Sequence, residues 1–361
     1  MKTKLILPLL LLCGMVAAQS PITTAVPFLS ITPDARGAGL ADCGAASEAD
    51  AYSMYYNPAK YAFIENNTTV GLGYSRWTLG QTNLYNAAVA QRVGQRSTLA
   101  ATFRYHQGLT VESLNTLGMW GGTFTPHDLA VDLGYAIRLN DALSLAVAGR
   151  YIQSNAFGKD DDVVNVYNRV KTGRSFAADL GVYYRKPVRL GGLDARLALG
   201  ASITNLGTKI CYSKDKNPYL KEFIPTTLRL GTSLKVNLGG DHALTGMADL
   251  TKLLVPSQPT PATHLQSTFL CMIQSFYDAP GGFKEELYEI NYGLGLDYAW
   301  RDMLHVRTGY FNQPALKGNL KYLSLGLGLE LKHFGLDVCY DLSTTSAHNA
   351  DYLKVDTHFK L

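Results

Sequence analysis

Along Leu129–Tyr151 apolar residues occupy every second position. Leu129, Val131, Leu133, Tyr135, Ile137 and Leu139 alternate with small or polar residues, and after Asn140-Asp141 the alternation resumes with Leu143, Leu145, Val147 and Tyr151. A period of two that continues through a two-residue Asn-Asp break predicts an antiparallel hairpin with one apolar face. The pattern recurs to the C-terminus, with strands expected near 69–77, 84–93, 97–106, 128–139, 142–153, 175–186, 194–205, 226–238, 242–251, 286–299, 302–311, 320–331, 335–342 and 351–361. Most of these segments reach ten residues or more, whereas strands of soluble domains average about five or six. A tilted strand crossing a bilayer needs roughly 9–11 residues, so strand length names lipid as the partner of the apolar face.

The connections agree. Those after even-numbered strands are short ("GQR", "ND", "PVRLGGL", "GGD", "WR", "HF"), and those after odd-numbered strands are mostly long, notably 107–127, 154–174, 207–225 and 252–285. A membrane barrel produces this phase, with short periplasmic turns and long outer loops, and a β-sandwich has no reason to keep it. The opposite row of each strand is polar or small: Glu289, Asn291, Gly293, Gly295 and Asp297 face away from Tyr288, Ile290, Tyr292, Leu294, Leu296 and Tyr298. Arg138, Arg150, Asp179, Arg196, Arg229, Lys235, Asp249, Arg307 and Glu330 also fall on inward rows. The fold class expected is therefore all-β, a transmembrane antiparallel barrel of about 14 strands with a polar interior. Its last strand, "DYLKVDTHFKL", can pair with the first and leave no open edge.

Composition fits this surface. Charged residues are only 17% of the chain, with 34 Gly and 22 Tyr, against about 25% charge in ordinary soluble domains. The opening "MKTKLILPLLLLCGMVAAQS" reads as a signal peptide over 1–18, cleaved after Ala18. Losing Lys2 and Lys4 with it takes the net charge from +4 to +2, too little to attract nucleic acid. No later apolar run approaches the roughly 20 residues of a membrane-crossing helix. Four cysteines remain; Cys211 and Cys271 fall in long connections, where either a disulfide or two separate thiols is compatible with the spacing. No spacing matches a metal-site or cofactor motif.

Residues 19–68 do not alternate and form a separate lumenal or periplasmic segment ahead of the barrel at 69–361. "TPDARGAGLADCGAASEADAYSMYYNPAKYAF" is rich in Ala and Gly, predicts a helix around Ser47–Tyr55, and stops at Asn57-Pro58. A segment of small residues before a barrel can plug its lumen. The block resembles the N-terminal signature of the PorV family of type IX secretion in Bacteroidetes, within the FadL-like barrel superfamily; the related PorQ proteins share part of it. The matching residues are Thr32, Pro33, Asp34, Ala35, Arg36, Gly37, Gly39, Asp50, Asn57, Pro58, Ala59 and Lys60. Tyr56 stands where related sequences often carry Trp. The resemblance implies an outer-membrane barrel of fourteen strands that binds secreted proteins by their C-terminal type IX signal domains. It also implies handover from the translocon to an attachment complex with a PorU-like sortase. Asp34, Arg36, Gly37, Asn57 and Pro58 would anchor the plug.

Cargo contacts belong in the outer loops. "LGMWGGTFTPHD" carries Met119, Trp120 and Phe124; "STFLCMIQSFYDAPGGF" carries Phe269, Met272, Ile273, Phe276 and Tyr277. Clustered aromatics and Met favour protein contact, although the same loops can instead fold over the mouth. The basic loop with Lys209, Lys214, Lys216 and Lys221 suits acidic cargo or lipopolysaccharide phosphates, or is simply solvated. His305 and His358 point inward, and no nucleophile–base motif is present, so no catalytic residues and no enzyme activity are expected. The rival reading is a FadL-like transporter of hydrophobic small molecules.

Overall fold

The computed structural model describes residues 22–78, 81–114, 120–156, 170–215, 217–345 and 351–361. The expected signal peptide, Met119 and Lys216 lie outside them. Strands stand at all the expected places: β1 Thr68–Trp77, β2 Thr82–Arg92, β3 Ser97–Gln107, β4 His127–Arg138, β5 Leu143–Asn155, β6 Gly173–Leu190, β7 Leu193–Gly207, β8 Thr227–Gly239, β9 His242–Leu253, β10 Ile290–Trp300, β11 Leu304–Asn312, β12 Lys321–Glu330, β13 Phe334–Ser343 and β14 Tyr352–Lys360. Each pairs antiparallel with its neighbours in sequence, and β1 meets β14 from Thr69↔Lys360 to Trp77↔Tyr352. The barrel is closed, so no backbone edge faces hydrocarbon. No helix among the described residues is long and apolar enough to cross a membrane.

The outward row is the apolar one. Leu133 (68% exposed) and Leu327 (64%) face away from the barrel, whereas Asp132 and Asp337 beside them in their hairpins are buried. Aromatic side chains sit near both ends of this outward row: Tyr85 packs between Tyr74 and Tyr105 toward the outer loops, and His242 stacks on Tyr298 toward the short turns. This is the girdle arrangement of a lipid-facing band.

Three local readings need correction. The break at Asn140-Asp141 is a three-residue loop, since Leu139 N–H donates to Leu143 O and the pairing resumes at Arg138↔Ser144. Asn140 Oδ1 accepts the N–H groups of Ala142 and Leu143 at 2.9 Å each, which closes the longer turn. The tenth strand starts at Ile290, because Phe283–Leu287 forms a helical turn that ends at Tyr288. The helix expected around Ser47–Tyr55 is the single turn Ser53–Tyr56. Asp50 Oδ1 accepts Tyr52 N–H and Ser53 Oγ–H, a local turn that competes with helix before Ser53, and Asn57-Pro58 stops it afterwards.

The N-terminal segment fills the lumen. Ile22 packs with Phe223, Val255 and Cys271 among the outer loops. Val26, Phe28 and Leu29 then bury themselves against Leu84, Ala130, Ile152 and Ala177 of the wall. The chain descends through α1 (Ala35–Ala38), α2 (Ser53–Tyr56) and the 3-10 turn Pro58–Phe63 to enter β1 at the periplasmic end. Small residues permit this close fit. A Cβ on Gly200 of β7 would overlap the Ala45 carbonyl, and one on Gly309 of β11 would press on Leu40 and Ala41.

Candidate functional site

Backbone groups of the segment inside the barrel cannot reach bulk water, so each requires a protein partner. The inward rows supply them. Asp249 Oδ2 accepts the N–H groups of Gly44 (2.9 Å) and Ala45 (2.8 Å). Ser324 Oγ accepts Ala41 N–H at 3.1 Å, and Asp356 accepts Ala35 N–H. In the other direction Ser144, Ser202 and Ser233 donate to the carbonyls of Ala59, Tyr56 and Ala46 at 2.6–2.7 Å.

The motif residues hold this plug. Asp34 caps α1 by accepting Gly37 N–H at 2.7 Å and accepts a hydrogen bond from the Tyr56 hydroxyl at 2.9 Å. Gly37 is required there, because a Cβ would run into the Tyr56 hydroxyl. Arg36 lies 3.6 Å from Asp50, so Asp34 and Arg36 bond elsewhere rather than to each other. Asn57 donates to Ala45 O (3.1 Å) and to Val182 O of the wall (2.9 Å), while its Oδ1 accepts Ala59 N–H; Pro58 opens the 3-10 turn. Burial pushes the Asp34 carboxyl up to about 6, with the Asp50 charge adding to it. Burial also pulls on Asp50, but Lys60 and Arg36 outweigh it and hold that carboxylate below its ordinary value.

Around the plug most wall charges are paired. Arg150 bonds Asp132, Asp179 and Asn205. Arg229 reaches Asp42 of the plug at 2.8 Å, and Lys354 reaches Asp341 at 2.8 Å. His305 sits 3.0 Å from Asp297 and His358 2.8 Å from Glu330. The cavity left beneath the outer mouth is about 190 Å³ and is lined by Asp42, Tyr55, Arg150, Asn205, Arg229 and Thr251 among others. That is less than the roughly 300–1,000 Å³ of a typical ligand pocket, and its lining mixes these polar groups with apolar Leu29, Leu253, Phe311 and Leu320.

The outer rim is different. The connection from β9 to β10 carries α3 (Pro261–Leu265), α4 (Thr268–Gln274) and α5 (Phe283–Leu287). Phe269 (60%), Ile273 (43%), Phe276 (48%) and Tyr277 (67%) are exposed there, while Met272 and Cys271 turn inward. Phe124, in a hairpin pairing Val111–Leu114 with Trp120–Phe124, is buried; Trp120 pairs with Leu114 through its backbone. The sequence-predicted cluster therefore divides into an exposed part on one loop and a buried part on each.

What holds that loop in place was not legible in the sequence. Lys252 of β9 meets Glu286 (3.0 Å) and Glu289 (2.6 Å), and Lys317 meets Glu285 (2.6 Å) and Glu289 (3.0 Å). Lys209 donates to the carbonyls of Thr263, His264 and Gln266, so this lysine fastens α3 instead of standing free for cargo. Cys211 and Cys271 are separate thiols, whose Sγ atoms lie near the Ser213 and Thr263 carbonyls.

A closed barrel with a lipid-facing apolar band and a plugged lumen is an outer-membrane protein. The family model described as "Type IX secretion system protein PorV" matches residues 15–261, and the chain belongs to the PorV family. It is thus an outer-membrane protein of type IX secretion. Among solved structures it is similar to the CymD monoaromatic hydrocarbon channel, with 12% identity, 93% of this chain and 97% of that one covered, and a TM-score of 0.51. It is also similar to the Ralstonia pickettii toluene transporter TbuX (12% identity, 90% and 96% covered, TM-score 0.46). A Pseudomonas aeruginosa FadL homologue matches at 11% identity, 95% and 98% covered, TM-score 0.43. The likeness to CymD is one of fold. No curated protein sequence matches the chain.

Proposed function

We propose that this barrel works at its outer rim as a non-enzymatic carrier. It binds secreted proteins through their C-terminal type IX signal domains and delivers them from the translocon to an attachment complex with a PorU-like sortase, alongside outer-membrane lipid and lipopolysaccharide. The supporting observation is the exposed cluster of Phe269, Ile273, Phe276 and Tyr277 on a loop clamped by Lys252 and Lys317. Aromatic side chains held on a rigid support bury large areas at small entropic cost, which suits capture of a folded domain. The transporter reading lacks such support: it needs an apolar path through the lumen, whereas the interior carries paired Arg, Asp and Lys around a filled plug.

Deleting the gene and comparing periplasmic, released and surface-attached proteins tests this reading. Cargo with type IX signal domains should accumulate in the periplasm or leave the cell unattached. Normal secretion combined with lost uptake of hydrophobic small molecules would favour the transporter instead.

A further inference from the structure

Toward the periplasmic end of the lumen, β13 and β14 place Asp337 directly opposite Asp356, with Gly335 opposite His358. One donor atom each from Asp337, Asp356 and His358 lies within 4.8 Å of the other two. Asp356 is 1% exposed. One of its oxygens accepts Ala35 N–H at the start of α1, and the other, Oδ1, has no hydrogen-bond partner. Arg307 and Lys360 are spent on Asp337 and Glu330, and no cation among the described residues pairs with Asp356. A buried carboxylate oxygen without a donor or counter-charge is costly, and a bound cation removes that cost.

The imidazole is arranged for the same purpose. His358 Nε2 bonds Glu330 Oε2 at 2.8 Å, while Nδ1 stands 4.0 Å from Asp337 Oδ2. That gap is too long for a hydrogen bond. It is close to the roughly 3–4 Å that separates two ligands sharing one ion at bond lengths near 2.1 Å. A carboxylate on the far ring nitrogen is how metal-binding histidines are oriented and made more basic. The ring's position is fixed from behind as well, because a Cβ on Gly335 would overlap it. Asp337 and His358 line a cavity of about 360 Å³ with Arg36, Asp50, Glu65 and Lys360, so these two donors are reachable from the periplasmic side, with Asp356 buried behind them. The other carboxylate cluster, Asp278, Glu286 and Glu289, differs in that Lys252 and Lys317 already neutralise it.

We propose that Asp337, Asp356 and His358 bind a divalent transition-metal ion of the zinc class. Two carboxylates and one imidazole suit such an ion. Because Asp356 also holds Ala35, the ion would fasten the plug to the strands that close the barrel.

The test uses the full chain without a histidine tag, purified in detergent, stripped with EDTA and titrated with Zn²⁺ by calorimetry. About one equivalent should bind, His358→Gln and Asp356→Asn should lose it, and Glu330→Gln should weaken it about 10–100-fold. His305→Gln, which alters the histidine paired with Asp297, should leave it unchanged. Absence of Zn²⁺ binding by the wild-type chain, or undiminished affinity in His358→Gln, would overturn the proposal. Co²⁺ added to the wild-type chain gives a check independent of variant folding: visible bands with nitrogen ligation support the site, and an aqua-ion spectrum rejects it.

Discussion

Replacing Phe269, Phe276 and Tyr277 together by aspartate should lower capture of cargo about a hundredfold or more while leaving the barrel inserted. Interface aromatics commonly cost 2 kcal/mol or more each when truncated, and the three need not add, so about 3 kcal/mol is a floor for the set. The barrel should tolerate the change. All three side chains are exposed, and substitutions at such positions usually stay within about 0.5 kcal/mol. Co-purification with an isolated cargo signal domain measures capture, and heat-resistant migration on gels reports the intact barrel. Undiminished capture by a correctly inserted variant would exclude this loop as the docking surface. Met272 and Phe124 are unsuitable for the same test, because both are buried and aspartate there would damage packing instead.

The lumen should respond on another scale. Arg150→Met leaves Asp132 and Asp179 facing each other, both 1% exposed, without the guanidinium that joins them across β4, β5 and β6. Arg104, 3.6 Å from Asp132, is too distant to replace both bonds. Removing one partner of a buried charge network costs about 3–5 kcal/mol, since uncompensated charge remains behind. Arg196→Met is the matched control. Its guanidinium is 44% exposed toward Glu48, where an ion pair contributes about 0–1 kcal/mol. Urea unfolding in detergent micelles should separate the two variants clearly, and equal midpoints would show that the lumen charges are solvated.

The wall was readable from sequence because each strand carries its own evidence. Alternation, strand length and the phase of the loops are local properties, and they placed every strand and assigned rows such as Leu133 against Asp132. The limits were also local. Side-chain bonds reset the turn at Asn140 and the helix near Asp50, and a helical turn at Phe283 displaced the start of β10. The plug could be recognised as small and non-alternating, and the Asp34–Pro58 motif lies within it. Its bonding to Asp249, Ser324 and Asp356 joins residues some 200–320 positions apart, which no spacing rule reaches. The Asp337–Asp356–His358 group was invisible for the same reason: two strands supply it, and register alone brings its members together. Loop composition gave the apolar cluster but not its orientation, because which face of α4 turns outward depends on Cys271 packing against Phe223 and Val255.

A rim-acting carrier needs no passage through its own lumen, and a locked plug makes this measurable. Ala51 of the plug and Gly71 of β1 are close enough that a Cβ on Gly71 would lie 2.8 Å from that of Ala51 and equally close to the Tyr52 ring, so Ala51→Cys with Gly71→Cys, combined with Tyr52→Ala to clear the ring, can form a disulfide after the two Cβ atoms part toward the usual ~3.8 Å. Cells carrying the oxidised pair should secrete and attach type IX cargo at the wild-type level. Arrest of secretion in the oxidised state, relieved by a reductant, would mean instead that the plug must leave and that the lumen is the route.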